Sequence, residues 1–394
     1  RYLLACCGDG LARVFNPVTG VGISVLSPKR ARSSTSRGGD GGESKGGEGG
    51  GGTARVQSSK NRSASILENI ALPCTCAAFR PHAKIREKTS GVALIGNSHG
   101  EIQLWHVPSA KLLHQQGLLD KGANSNSREE GKGDDLDEDF HHRVSAPFGV
   151  EVLCCAYSGD GQLFAVGASD GVVRVYSDST KELVVELKPG LAKGAGHSSR
   201  IFSVKFHPDD PNIIVSGGWD NCVHVWDVGK ASTTRTVFGP HICGDAVDVA
   251  GEMIVTGSWR DDSQLETWHL DSGEALGSPF WSGLGEGVLL KQGLGRKCRL
   301  YAAAFGGPEG SKGKFIAAGG GEGANEVKVF DVSNNKTLVG SLLGLSAGAI
   351  SLAFGPKGDR LAVGLADGKI HLMDIEASAG SVQGSIGGLN IMGF

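Results

Sequence analysis

The sequence predicts an all-β protein assembled from seven copies of one small antiparallel unit. Three observations carry this. A tight turn, a run of alternating apolar residues and a large closing side chain, often followed by Asp, recurs seven times in 394 residues. Upstream of most copies lies a second apolar run that ends in Gly. Before that comes a first run that ends in an aromatic residue. Alternation with a period of two, punctuated by Gly, Asp and Asn, is the pattern of short strands joined by hairpins.

Unit one starts at its second strand, Tyr2–Cys6, and continues with Leu11–Phe15 and Gly22–Leu26. Unit two holds Cys74–Phe79 and the turn-strand segment Ser98–His106. Unit three reads Val152–Tyr157, Leu163–Gly167 and Ser169–Ser177; unit four reads Ile201–Phe206, Ile213–Gly217 and Trp219–Asp227. Unit five shows Met253–Gly257 and Asp261–His269, and unit six Leu300–Phe305, Phe315–Gly319 and Gly323–Asp331. Unit seven gives Ala349–Phe354, Arg360–Gly364 and Ala366–Asp374, with Ser381–Ile386 available as a fourth strand. The tail Leu389–Phe394 repeats the alternation of a first strand. It is expected to pair with Tyr2–Cys6 and supply the innermost strand that unit one lacks, which removes open sheet edges.

Two insertions interrupt the pattern. Residues 27–65 are a Gly/Ser/basic stretch and residues 118–145 an acidic one with seven carboxylates between Glu129 and Asp139. Neither carries the apolar residues needed to offset ordering entropy, so both are expected to be disordered. Setting them aside leaves about 47 residues per unit, which suits a single repeat domain over 1–394. The net charge of −3 gives no general attraction to nucleic acid or anionic lipid. No apolar run approaches the roughly eighteen residues of a membrane span. The nine cysteines include Cys74-x-Cys76 and the adjacent pairs Cys6-Cys7 and Cys154-Cys155, but no completing C-x-x-C or His pair. They read as buried free thiols in a reducing compartment, with no metal site and no cofactor. Gly319–Gly323 lacks the Lys and helix of a phosphate cradle and reads as a loop.

The best unit, from Gly196-His197 to Trp226-Asp227, resembles one repeat of the WD-repeat (WD40) β-propeller family. The resemblance implies a single seven-bladed propeller of four-stranded antiparallel blades, closed by N- and C-terminal strands that share one blade. His197, Ser216 and Asp220 invite a nucleophilic-triad reading. The resemblance gives the same positions, with Trp226, a structural role as a hydrogen-bonded tetrad that leaves no exposed nucleophile. It offers a partial copy in blade five, His241, Thr256, Asp262 and Trp268, while His99 and Val166 break the set elsewhere.

The resemblance also implies where partners dock. The residue before the tight-turn Asp lies on the top face: Trp219 in blade four, and Trp259-Arg260 in the longer turn of blade five. The residue before the first strand faces the channel mouth: Glu151, Arg200 and Arg299 in blades three, four and six. Trp and Arg dominate interface energetics. The expected function is therefore a non-enzymatic scaffold or adaptor for other proteins or peptides, without direct nucleic-acid, membrane or small-molecule binding. Its expected location is intracellular, cytoplasmic or nuclear, and Lys29–Arg32 resembles a short nuclear-import signal. The alternatives are a reader of acidic or phosphorylated peptides, of the chromatin or ubiquitin-ligase substrate-receptor type, and a propeller enzyme with a central-channel site.

Overall fold

The computed structural model describes residues 2–27, 73–81, 91–118, 149–190, 196–279, 281, 297–307 and 313–375. Their strands form seven separate antiparallel sheets, each joined in simple sequence order. Blade one is β1 (Leu3–Cys6), β2 (Ala12–Phe15) and β3 (Gly22–Leu26). Blade two is β4 (Cys74–Phe79), β5 (Val92–Asn97), β6 (Glu101–His106) and β7 (Lys111–Gly117). Blade three is β8 (Val152–Tyr157), β9 (Leu163–Ala168), β10 (Val173–Ser177) and β11 (Leu183–Leu187). Blade four is β12 (Ile201–Phe206), β13 (Ile213–Gly218), β14 (Cys222–Asp227) and β15 (Ser232–Phe238). Blade five is β16 (Val247–Ala250), β17 (Met253–Gly257), β18 (Leu265–His269) and β19 (Ala275–Gly277). Blade six is β20 (Arg299–Gly306), β21 (Phe315–Gly321), β22 (Glu326–Asp331) and β23 (Thr337–Leu342). Blade seven is β24 (Ala349–Phe354), β25 (Arg360–Leu365) and β26 (Ile370–Asp374).

The sheets stack face to face around a ring, because both faces of the middle strands are apolar. On β9, Phe164 packs toward blade two with Leu94 and Leu104. Its neighbour Ala165 points the other way, toward Ile201, Phe206 and Trp226 of blade four. Each core cluster thus fills the space between two blades rather than within one. Blade seven meets blade one where the Arg360 Nη1 donates to the Pro17 carbonyl at 3.2 Å. The expected strands Ser381–Ile386 and Leu389–Phe394, the residues 28–65 and 119–145 of the insertions, and Lys29–Arg32 lie outside the described residues. Leu118, at the edge of the second insertion, is buried in the core between blades two and three.

A glycine at one site of the second strand sets how closely blades approach. A Cβ on Gly167 would meet Cys154 Sγ of its own blade at 2.6 Å and Ile201 Cγ2 of the next at 2.8 Å. On Gly217 it would meet Val247 Cγ2 at 2.7 Å and Ile242 Cγ1 at 2.8 Å. The loop expected at Gly319–Gly323 is corrected by the same geometry. Gly319, Gly320 and Gly321 end β21, and a Cβ on Gly320 would collide with the Arg299 carbonyl of β20. Glycine serves there as the residue that fits a close backbone approach, not as a turn former.

Candidate partner-docking site

One end of the ring carries the turns between second and third strands and the segments that lead into each first strand. β12 and β20 both begin with a register shift, between Ile201 and Ser203 and between Leu300 and Ala302. A β-bulge of this kind releases one residue from pairing and re-aims its side chain. The released residues are Phe202 and Tyr301, and each supports an indole. Trp219 packs on Phe202 with ring centres 5.4 Å apart and runs parallel to the His241 ring at 6.5 Å. Trp259 lies on Tyr301 at 4.0 Å. The segment leading into blade five fits between them: Trp219 Nε1 donates to Cys243 Sγ at 3.2 Å, and Trp259 N–H donates to the His241 carbonyl at 2.9 Å. The result is an aromatic strip across blades four, five and six, with Trp219 45 % exposed.

Arginines flank the strip at both ends. Arg200 stands 5.7 Å from the Trp219 ring centre and 3.5 Å from Glu151, so the blade-three and blade-four mouth positions pair directly. Arg299 stands 5.6 Å from the Trp259 ring and binds Asp261 at 2.9 Å and Glu322 at 2.5 Å. Arg260 turns back to Glu266 of β18 at 3.2 Å, on its own blade. Five of the six anticipated docking residues therefore meet in one continuous surface. Arg260 is tied to the sheet beneath.

Behind this face, the four residues of the blade-four tetrad come together. The His197 Nδ1 lies 2.9 Å from Asp220 Oδ2, and its Nε2 lies 2.8 Å from Ser216 Oγ. Trp226 Nε1–H donates to the same Ser216 oxygen at 2.8 Å. One proton arrangement satisfies all three contacts: indole to hydroxyl, hydroxyl to Nε2, and Nδ1–H to carboxylate. Burial opposes ionisation of Asp220, but the His197 hydrogen bond and the Ser198 N–H hold its carboxyl below the ordinary range. His224 of β14 sits edge-on to His197, ring centres 4.4 Å apart, with its Nδ1 on Thr236 Oγ1 at 2.9 Å. Burial and the facing His197 push its pKa down to about 4. His197, Asp220 and His224 do offer three ligand atoms within 4.8 Å of one another. Both nitrogens of His197 and both oxygens of Asp220 are already engaged in hydrogen bonds, while the His224 Nε2 is buried without a hydrogen-bond partner. Ser216 is fully buried, with its oxygen shared between His197 and Trp226.

The blade-five copy forms only in half. Trp268 Nε1 donates to Thr256 Oγ1 at 2.9 Å. His241, however, faces Asn221 Oδ1 of blade four at 2.7 Å, and Asp262 is exposed in the longer turn. The extra turn residues carry that carboxylate away from the blade interior.

Residues 141–177 and 191–227 match the profile of the WD domain, G-beta repeat family. They cover blades three and four, and the remaining blades repeat the same strand order. The chain is a WD-repeat β-propeller. It is 33% identical over 85 residues to WD repeat-containing protein 1 of Gallus gallus, covering 22% of this chain and 13% of that protein. It is 24% identical over 257 residues to the transcriptional corepressor LEUNIG_HOMOLOG of Arabidopsis thaliana, covering 60% of this chain and 28% of that protein. It is 25% identical over 248 residues to the U3 small nucleolar RNA-associated protein 15 homolog of Xenopus laevis, covering 56% of this chain and 45% of that protein. The propeller chain thus spans less than half the length of each of these relatives.

Two features of this propeller escape the sequence reading. The bulged platforms Phe202 and Tyr301 break the alternation of their own strands, with Ser203 and Val204, and again Ala302 and Ala303, buried in succession, and no residue type in the repeat marks that break. The other is Trp281, from the link between blades five and six. Its ring lies 6.1 Å from Phe330, and its Nε1 donates to Glu326 Oε1 at 2.8 Å. Lys328 donates to its carbonyl at 2.7 Å. Blade six has Ala318 and Phe330 where blade four has Ser216 and Trp226, and Trp281 fills the space from outside the repeat. A lone Trp in a Gly-rich link was the available signal.

Proposed function

We propose that this WD-repeat propeller is a non-enzymatic scaffold that binds partner proteins across the rim of blades four to six. The observation that carries the reading is the aromatic strip itself. Trp219 is nearly half exposed yet fixed on Phe202, His241 and Cys243, so little conformational entropy is lost when a partner covers it. Aromatic anchors bordered by Arg are the residue types in which binding energy concentrates. Specificity for acidic or phosphorylated peptides would call on free cations. Here Arg200 and Arg299 already face Glu151, Asp261 and Glu322, which favours a partner of mixed charge. A transcriptional corepressor and an RNA-associated protein among the relatives support an intracellular role, cytoplasmic or nuclear.

Affinity capture with the wild-type chain and with Trp219→Ala/Trp259→Ala tests the reading. The variant is expected to keep its melting temperature within a few degrees and to lose the most abundant partner. Retention of every partner by a folded variant contradicts it.

A further inference from the structure

The strands that face one another across blades one, two and three carry a series of free thiols: Cys6 on β1, Cys74 and Cys76 on β4, and Cys154 and Cys155 on β8. Neither the docking rim nor the tetrad uses them. The seam between blades one and two brings two of them together. Cys74 N–H donates to the Cys7 carbonyl at 3.2 Å, and Cys6 Sγ reaches the Cys76 carbonyl at 3.5 Å. That backbone bond, made by the residue next to Cys6, sets the two chains about 5 Å apart at the seam, within the range of separations that disulfides bridge. Cys6 and Cys74 pack in the same core cluster, and both are only half-buried. Each of the two thiols acts directly on the other's ionisation.

We propose that Cys74 and Cys6 form a peroxide-responsive thiol pair whose oxidation staples blade one to blade two. The Cys74 thiolate attacks one oxygen of hydrogen peroxide, the O–O bond breaks, and hydroxide leaves, giving a sulfenic acid. The Cys6 sulfur then attacks the Cys74 sulfur, the S–O bond breaks, and a second hydroxide leaves as the disulfide forms. The two thiol protons convert both hydroxides to water, so two thiols lose two electrons and one peroxide gains them. The neighbouring Cys6 thiol holds Cys74 below the ordinary thiol range, which raises the nucleophilic fraction. Burial and the neighbouring thiols push Cys154 and Cys155 the other way and keep them protonated. This inference is independent of the docking surface.

The purified full chain is exposed to hydrogen peroxide, its remaining thiols are blocked with iodoacetamide, and a non-reducing digest is mapped by mass spectrometry. The Cys6–Cys74 cross-linked peptide is expected, reversed by dithiothreitol, with a melting temperature about 5 °C higher in the oxidised protein. Cys74→Ser should lose the cross-link. Cys6→Ser should leave Cys74 as a sulfenic acid that dimedone traps, a readout that a merely structural cysteine would not give. Alkylated Cys6 and Cys74 beside a Cys76–Cys155 link, or dimedone labelling of Cys74 no greater than that of Cys154, overturns the assignment. A cross-link without the rise in melting temperature overturns the staple.

Discussion

Asp220 accepts from His197, from Ser198 N–H and from Cys222 N–H, and its loss would strand the buried His197 donor. Leaving buried polar groups unpaired costs about 1–3 kcal/mol. Asp220→Ala should therefore lower stability by about 2–3 kcal/mol, read by chemical denaturation, and an unchanged midpoint would contradict the network. His224 adds a pH dependence. Its ordinary pKa of 6.5 falls to about 4 in the fold, so the unfolded chain binds a proton that the folded chain refuses. Its contribution is whole above pH 6.5 and is lost as the pH falls toward 4, about 3 kcal/mol in all. The groups facing it are His197 and Asp220, and the depressed Asp220 gives way only below the ordinary carboxylate range. His224→Gln should flatten the fall in melting temperature between pH 6.5 and 4.5; an identical slope would assign it elsewhere. The tetrad was legible because its four residue types stand at the spacing of a single repeat. His224 was not, since nothing in CVHVWD distinguishes a buried histidine from an exposed one.

At the scale of strands, glycine decides both the packing and the errors of reading. Gly217→Val would drive a side chain into Val247 and Ile242, and overpacking of this kind costs about 1–3 kcal/mol. Gly8→Ala, where a Cβ meets nothing within 4 Å, should be close to neutral. Thermal melts of the two variants compare them directly, and equal shifts would contradict the role given to Gly217. The strands themselves were legible, because period-two alternation between turn residues leaves few other readings. Gly319–Gly321 misled, since glycine marks a turn and a close approach with the same letter. Asp262 misled because spacing along the chain does not reveal where a longer turn carries its carboxylate. The bulges at Phe202 and Tyr301 stayed hidden for a related reason: a bulge sets two residues of its own strand against one of the partner, and in Phe-Ser-Val and Tyr-Ala-Ala no residue type marks where that happens.

At the scale of the molecule, seven sheets share their cores in pairs, so the rim of one blade is held by its neighbours. Phe202, Trp219, His241, Cys243, Tyr301 and Trp259 come from three blades yet form one surface. A repeat count predicts the ring, but only the assembled ring brings those blades' side chains together. The most direct measurement is hydrogen exchange of the chain alone and bound to a captured partner. Slowed exchange at residues 200–202, 219–221, 241–243 and 299–301, with the outer strands β7, β11 and β15 unchanged, is the predicted result. Protection confined to the outer strands or to the acidic stretch 118–145 would contradict the account.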